Sequence, residues 1–403
     1  STQGAQNVAK AYGLRERVNE WEKYAIESRY DNSVVGDLKE ARQVYVLWAQ
    51  TYPRDYIPIS VLYEIDQKLG QHEMALADAR GSMRLDPESA SCYDDLSGAY
   101  IALNRLEEAR TVVQQAQKRH FDTPSLRRNQ YAMEFLQGDA AGMKQQVAWS
   151  AGKPRVEDVF LSLDAQTAAY SGRVGKARDL SRRAAASAEQ AGENEAAGGY
   201  EAEAALREAL FGNTTEARVL ARTALGLSTG REVQFAAALA LVVAGDAVRA
   251  DALADDLARR FPNDTVVQFN YLPAIRGQMF IRRNRATTAI EFLQSATPYE
   301  LGADFGGVFY ALYPVYVRGE AYLAVHQGRE AAGEFQKIVN NGGVVQNEPI
   351  GALAHLGLGR AYALQNDTAE AKVAYEDFFV LWKDADPDIP ILKMAKAEYA
   401  KLQ

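Results

Sequence analysis

The chain has 403 residues, 45 basic and 53 acidic side chains, and a net charge of -8. That length exceeds one ordinary compact core and calls for several domains or a repeat array, while the acidic balance argues against a nucleic-acid backbone as partner. A single cysteine, Cys92, excludes a disulfide framework and a thiolate metal site, and no apolar run approaches the ~20 residues that span a bilayer.

In chain order, residues 6–30 read as one helix through Val8, Tyr12, Leu14, Val18, Trp21, Tyr24 and Ile26. No signal peptide is visible, and for a start on helical sequence without Met the expectation is a segment of a larger protein. Then Gly36, Gly70, Asn104, Gly138 and Gly172 recur every 34 residues. Five positions after each turn stands a small residue, Ala41, Ala75, Ala109 and Ala177, except in the fourth unit, where Met143 predicts looser packing. Pro53, Pro87 and Pro262 close the second helix at one repeat position, because proline cannot donate the next helical hydrogen bond. The stretch from Ala90 to Ala116 shows the unit best. Tyr93, Leu96, Ser97 and Tyr100 stripe one helix, Asn104 breaks it, and Leu106, Ala109, Val113 and Ala116 stripe a second. Neither helix can bury its apolar face alone. Cys92 reads as a small core residue of the first.

After Gly172 the turns fall at Gly212, Gly245, Asn284, His326 and Asn366, in steps of 40, 33, 39, 42 and 40. The extra residues lengthen helices or loops at 192–200, 262–273 and 340–349. The last unit keeps the full pattern in Leu358-Gly359, Tyr362, Ala371 and Tyr375, and a helix from Ile391 to Leu402 reads as a polar cap.

This pattern resembles the tetratricopeptide repeat (TPR), with Tyr93 at its Trp position, Leu96-Ser97 at Leu-Gly, then Tyr100, Ala109 and Val113. The expected fold is all-α, a TPR-like superhelical solenoid of about ten helical hairpins. Its layout is an N-terminal helix and linker (1–21), a regular array (22–190), longer irregular repeats (191–387) and a capping helix (388–403). Such arrays build an extended concave surface.

Chemical motifs fail one by one. Asp304-Phe305-Gly306 spells a kinase tripeptide, but the phosphate loop, strand lysine and catalytic loop of a kinase are missing. Gly172 to Ala177 has only the ending of a phosphate loop, and Gly357-Leu358-Gly359 lies inside a helix. His72, His120, His326 and His355 lack a metal-binding spacing, and turn or packing roles are expected for the three at repeat positions. No catalytic residue, metal site or cofactor is predicted.

In TPR arrays the first helix of each unit lines the concave face. The resemblance puts Glu64, Gln67, Lys68, Asp94, Arg128, Phe135 and Leu136 there in the early units. In the late units it puts Tyr271, Gln278, Arg282, Tyr313, Tyr316, Glu320 and Arg360, which are the candidate partner-binding residues. The Lys/Asn clamp by which some relatives hold a terminal carboxylate is replaced by Ser60 with Glu64 and Asp94 with Gly98.

The runs Trp21 to Arg42, Phe269 to Pro273, Tyr313 to Gly319 and Asn347 to Gly351 look more specific still. They resemble the C-terminal repeat region of acidobacterial eukaryotic-like serine/threonine protein kinases. That resemblance implies a non-catalytic scaffold or sensor arm of a bacterial signalling protein, binding a protein or peptide. It implies a cytoplasmic or extracytoplasmic place according to a membrane helix of the parent. Two other classes stand beside it: a small-molecule sensor domain, and an enzyme with an unrecognised site. A cavity with converging polar groups near Tyr271 and Tyr316 favours the sensor, and a long open groove favours the peptide.

Overall fold

In the computed structural model, which describes residues 2–303 and 310–402, the chain turns back on itself at all ten positions read from the sequence. Gly36, Gly70, Asn104, Gly138, Gly172, Gly212, Gly245, Asn284, His326 and Asn366 all have φ between 55° and 91°. At nine of the ten the next N–H reaches a carbonyl five residues back, as from Arg105 to Tyr100 at 2.8 Å and from Asp367 to Tyr362 at 3.0 Å, while at the first turn the Gly36 N–H itself reaches Asp31 O at 2.8 Å. This closure needs a left-handed residue, for which glycine and asparagine are least strained. Asp37, Asp139, Asp246 and Asp367 follow such turns, and their carboxylates cap the second helix.

The ten hairpins pair Glu20–Tyr30 with Leu38–Thr51 (unit 1), Ile57–Lys68 with His72–Leu85 (unit 2), and Ala90–Ala102 with Leu106–Lys118 (unit 3). Pro124–Leu136 pairs with Ala140–Ser150 (unit 4), Glu157–Tyr170 with Val174–Gln190 (unit 5), and Asn194–Leu210 with Thr214–Leu227 (unit 6). Arg231–Val243 pairs with Ala247–Arg260 (unit 7), and Leu272–Arg282 with Ala286–Leu293 (unit 8). Tyr313–Ala324 with Gly328–Asn340 (unit 9) and Pro349–Leu364 with Thr368–Leu381 (unit 10) complete the stack, and Pro390–Ala400 covers its end. Five residues past each turn, Ala41, Ala75, Ala109, Ala177, Ala217, Ala250, Ala289, Ala331 and Ala371 are all 0 % exposed. Alanine there lets paired helices approach closely. Unit 4 has Met143 instead, and its second helix buries only Gln146 and Ser150. Cys92 is likewise in the core.

The N-terminus departs from the reading of one helix over residues 6–30. Thr2–Tyr12 ends before Gly13, and a new helix starts at Glu20. The cause is a capping box: the Asn19 side chain accepts the Glu22 N–H at 2.9 Å, and the Glu22 carboxylate accepts the Asn19 N–H at 3.2 Å. The two helices fold together, with Tyr12 stacked on Tyr30 at 3.9 Å. The Asp304-Phe305-Gly306 tripeptide lies outside the described residues.

The concave surface is also not left open, because the superhelix winds onto itself. The turns of the early units meet the linkers of the late ones along a seam. Thr265 N donates to Gly36 O (2.9 Å), Ala303 N to Gln67 O (3.0 Å), Asp386 N to Gly172 O (3.0 Å) and Ile391 N to Phe211 O (3.2 Å). Gly343 N donates to Asn104 Oδ1 at 2.7 Å, Trp382 Nε1 to Tyr170 O at 3.0 Å, and Asn347 Nδ2 to Leu163 O at 2.9 Å. The insertions noted at 262–273 and 340–349 supply several of these donors. His72 joins the same seam, bonding Leu301 O through Nε2 at 2.9 Å. Behind that loop Arg318, only 2 % exposed, binds Glu300 and Glu334 at 2.6 Å each and fixes the segment that reaches Gly70.

A matched pair of substitutions measures the seam. Gly138 and Gly172 have φ of 71° and 70°, but a Cβ on Gly138 meets open space whereas one on Gly172 overlaps Ala385 and Trp382. In urea denaturation Gly138→Ala should lose only the left-handed strain of about 1 kcal/mol. Gly172→Ala should lose roughly 1–3 kcal/mol more through overpacking. Equal losses would show that the seam contributes no stability.

Candidate functional site

On the first helices of the late units, four of the seven predicted residues act on one another electrostatically. Glu320 of unit 9 interacts with Tyr316 on its own helix, with Arg360 of unit 10 and with Arg282 of unit 8. Burial raises the Glu320 carboxyl pKa, and the two arginines oppose that rise. Arg360 is anchored by a two-pronged pair with Glu398 of the C-terminal helix, at 2.9 and 3.1 Å. Arg282 donates to Val243 O. Beside Arg360 opens a cavity of about 380 Å³ whose walls include Leu323, Tyr375, Glu398 and Lys401.

The other three predicted residues are placed deeper. Tyr271 is 0 % and Tyr313 2 % exposed, in an aromatic cluster with Phe235 and Tyr310. Phe235 stacks on Tyr271 at 4.1 Å and lies 5.0 Å from Tyr310, while Tyr310 and Tyr313 are 5.8 Å apart. These rings fill the space between units 7, 8 and 9. Gln278 is buried as well, with Oε1 unpartnered. In the early units Gln67 is buried against His72 and Tyr63, Phe135 packs edge-on against Tyr170 at 5.0 Å, and Arg128 faces Asp94. Ser60 Oγ donates to Asp95 at 2.7 Å, and the Gly98 Cα approaches the Tyr63 hydroxyl, so both substituted clamp positions are committed to packing.

Residues absent from the sequence reading carry the densest electrostatics. Ser162 of unit 5 donates to Glu203 Oε2 of unit 6 at 2.8 Å, and Tyr200 donates to Asp158 at 2.9 Å. Within the late layer Tyr313 of unit 9 donates to Glu348 Oε2, just ahead of unit 10, at 3.0 Å. Burial, then the nearby Glu203, pushes the Glu348 carboxyl up to about 8. Burial raises Glu203 too, and Arg207, 1 % exposed and bonded to Ser181 Oγ at 3.1 Å, opposes both rises. Asp95 and Asp94, further along, are pushed up to about 8 and about 6, again chiefly by burial. Glu203, Glu320 and Glu348 keep some accessible surface although protein encloses them deeply. One sequence signal pointed to them: Glu203 and Arg207, one helical turn apart, interrupt an otherwise alanine-rich helix.

Among the described residues no group of three or more potential metal ligands is found, and no helix is long and apolar enough to cross a membrane.

No protein-family model matches the chain, and no curated protein is detectably similar in sequence. Among solved structures it is similar to yeast Tom70, at 12% identity and a TM-score of 0.39 over 95% of this chain and 97% of that one. It is similar also to a human IFIT1 dimer with m7Gppp-AAAA, at 15% identity and a TM-score of 0.41 over 86% and 76% of the two chains. Scores near 0.4 carry no argument about what this chain binds. The TPR-like solenoid rests on its own hairpins.

The raised carboxyls set a pH dependence. An unfolded chain releases these protons near pH 4–4.5, roughly the ordinary carboxyl range, whereas the folded chain holds them on Asp95 and Glu348 up to about 8. The folded state therefore binds more protons between those limits, and stability falls as pH rises through them. Thermal unfolding should give a higher Tm at pH 5.5 than at pH 8.5. Glu348→Gln should raise the Tm at pH 8.5 and flatten the slope; an unchanged profile would show that Glu348 ionises normally.

Proposed function

We propose that this chain is a non-catalytic binding domain that holds a segment of a protein or peptide partner against the inner face of its late units. What supports the reading is the electrostatic coupling of Arg282, Tyr316, Glu320 and Arg360, from three successive first helices, the last of which lines a cavity of about 380 Å³ against the C-terminal helix. Side chains from separate units held at one place recognise spaced groups on an extended ligand, and arginine and tyrosine supply directional bonds with modest entropic cost. In this reading the domain is the scaffold or sensor arm of a bacterial signalling protein, as the resemblance to kinase-associated repeats implies. Tyr271, Tyr313 and Gln278 belong to the wall behind the site, supporting it without touching the partner.

A second reading, a small-molecule sensor, is favoured by one observation: the seam closes the superhelix, so the inner face is enclosed and not laid open along its length. A ligand bound there would change the fit of the two layers. Nucleic acid is not proposed, given the net charge of -8.

The test is capture from a bacterial lysate by wild type and by Arg282→Glu, a change at an exposed position. A bound protein lost from the variant, whose circular dichroism stays helical, supports the scaffold. Charge reversal at a site of this kind should weaken binding by roughly tenfold or more. Equal capture by both would remove Arg282 from the site. No specific capture by either, combined with a thermal shift from a metabolite panel, would favour the sensor.

A further inference from the structure

The cavity against the C-terminal helix has a wall of two kinds. Its apolar part comes from the ends of three elements: Leu323 of unit 9, Ala363 and Leu364 of unit 10, and Leu402 just past the C-terminal helix. Water reaches these groups. Leu364 is 38 % exposed, and Leu323, Ala363 and Leu402 are half-buried. Apolar surface left wet in a concave place gains by being covered. A dry space of about 150 Å³ already takes one benzene ring, and this one measures about 380 Å³. It has room for an apolar body about twice the size of that ring. A single inserted side chain, itself about as large as the ring, would leave more than half of it empty.

The polar part of the wall selects the sign of a ligand. Glu398 is fully engaged: Oε2 accepts Arg360 Nε at 2.9 Å and the Tyr375 hydroxyl at 3.0 Å, and Oε1 accepts Arg360 Nη2 at 3.1 Å. The two charges of that pair cancel. Glu320, the other carboxylate that acts on Arg360, has Arg282 as a second counter-charge. Lys401 is left over. It lines the cavity, and among the described residues its ammonium has neither an ion pair nor a hydrogen bond. The wall therefore carries one uncompensated positive charge with three donors, and it offers no carboxylate to a cation. Among the described residues no cluster of three metal ligands stands there either.

We propose that this cavity binds a small amphipathic carboxylate, its apolar chain against Leu323, Ala363, Leu364 and Leu402 and its anionic head on Lys401. The chain covers the wet apolar wall, and each methylene buried there tightens binding about fourfold. The head makes charge-assisted hydrogen bonds with the lysine. One negative charge balances the wall, whereas a doubly charged phosphate would add repulsion from Glu398. The ligand touches units 9 and 10 and the C-terminal helix together, so its presence fixes the end of the stack. This deepens the small-molecule reading, supplies its ligand class and rests on it.

Calorimetric titration with octanoate, butyrate and octylammonium tests the site. Wild type should bind octanoate. Butyrate, four methylenes shorter, and octylammonium, with the same chain and the opposite head, should each bind roughly tenfold or more weakly. Lys401→Glu, at an exposed position, should reverse the preference and take octylammonium over octanoate. Ala363→Phe fills the cavity and should lose both while staying helical by circular dichroism; if it unfolds, the reversal in Lys401→Glu decides alone. No heat from octanoate up to ~10 mM, a concentration at which even weak sites fill, overturns the proposal. So does equal binding of the two heads by wild type, or unchanged octanoate binding in Lys401→Glu or in folded Ala363→Phe. No octanoate binding together with a thermal shift from another metabolite sinks this ligand class and leaves the sensor reading standing. No octanoate binding and no shift from any metabolite sinks both.

Discussion

The structure depends on what happens to the carbonyls at the ends of its first helices. A helix leaves its last carbonyls without intrahelical partners, and in an isolated hairpin water would satisfy them. Here the carbonyls of Gly36, Gln67, Tyr170, Gly172 and Phe211 accept N–H groups from the next layer of the superhelix. Each bond is modest, but their repetition couples units that lie far apart in the chain. A solenoid bound only to its neighbours behaves as a nearly one-dimensional spring. This one has a second set of contacts that fixes its pitch.

That constraint gives the inner face its electrostatic character. Once the layers close, the ionisable side chains of the first helices lose water, and burial becomes the leading cause of their shifted titration. Some are compensated at once, as Arg360 is by Glu398 and Arg318 by Glu300 and Glu334. Others, Glu203 and Glu348 above all, are compensated only in part. The same enclosure bears on the choice between partners, because an extended segment or a small molecule can occupy an interior face that a folded protein cannot enter.

The ring cluster of Phe235, Tyr271, Tyr310 and Tyr313 shows how wall and core share a helix. Tyr316 and Glu320 sit one and two turns further along the helix of Tyr313; Tyr316 packs edge-on against Phe335 at 5.8 Å and its hydroxyl interacts with Glu320, while Tyr313 is packed among rings and bonds Glu348. A helix whose whole circumference is covered by neighbours buries every face, so residue type alone does not separate gripping from packing.

The ten left-handed turns, the alanines five residues beyond them and the loose fourth unit were all legible in the sequence. These features arise from contacts within about 34 residues, and each repeats, so the period itself reports them. The break at Asn19 was not, because a two-residue capping box is outweighed by a long apolar stripe on either side. Nor were the seam and the Glu203–Glu348 pair, which join residues 145 and more positions apart, as in Thr265 with Gly36 and Asn347 with Leu163. The hairpin is local chemistry, readable wherever it recurs. The pitch of the superhelix sums small rotations between units, and only that sum decides which turn meets which linker and which carboxylates lose their water together.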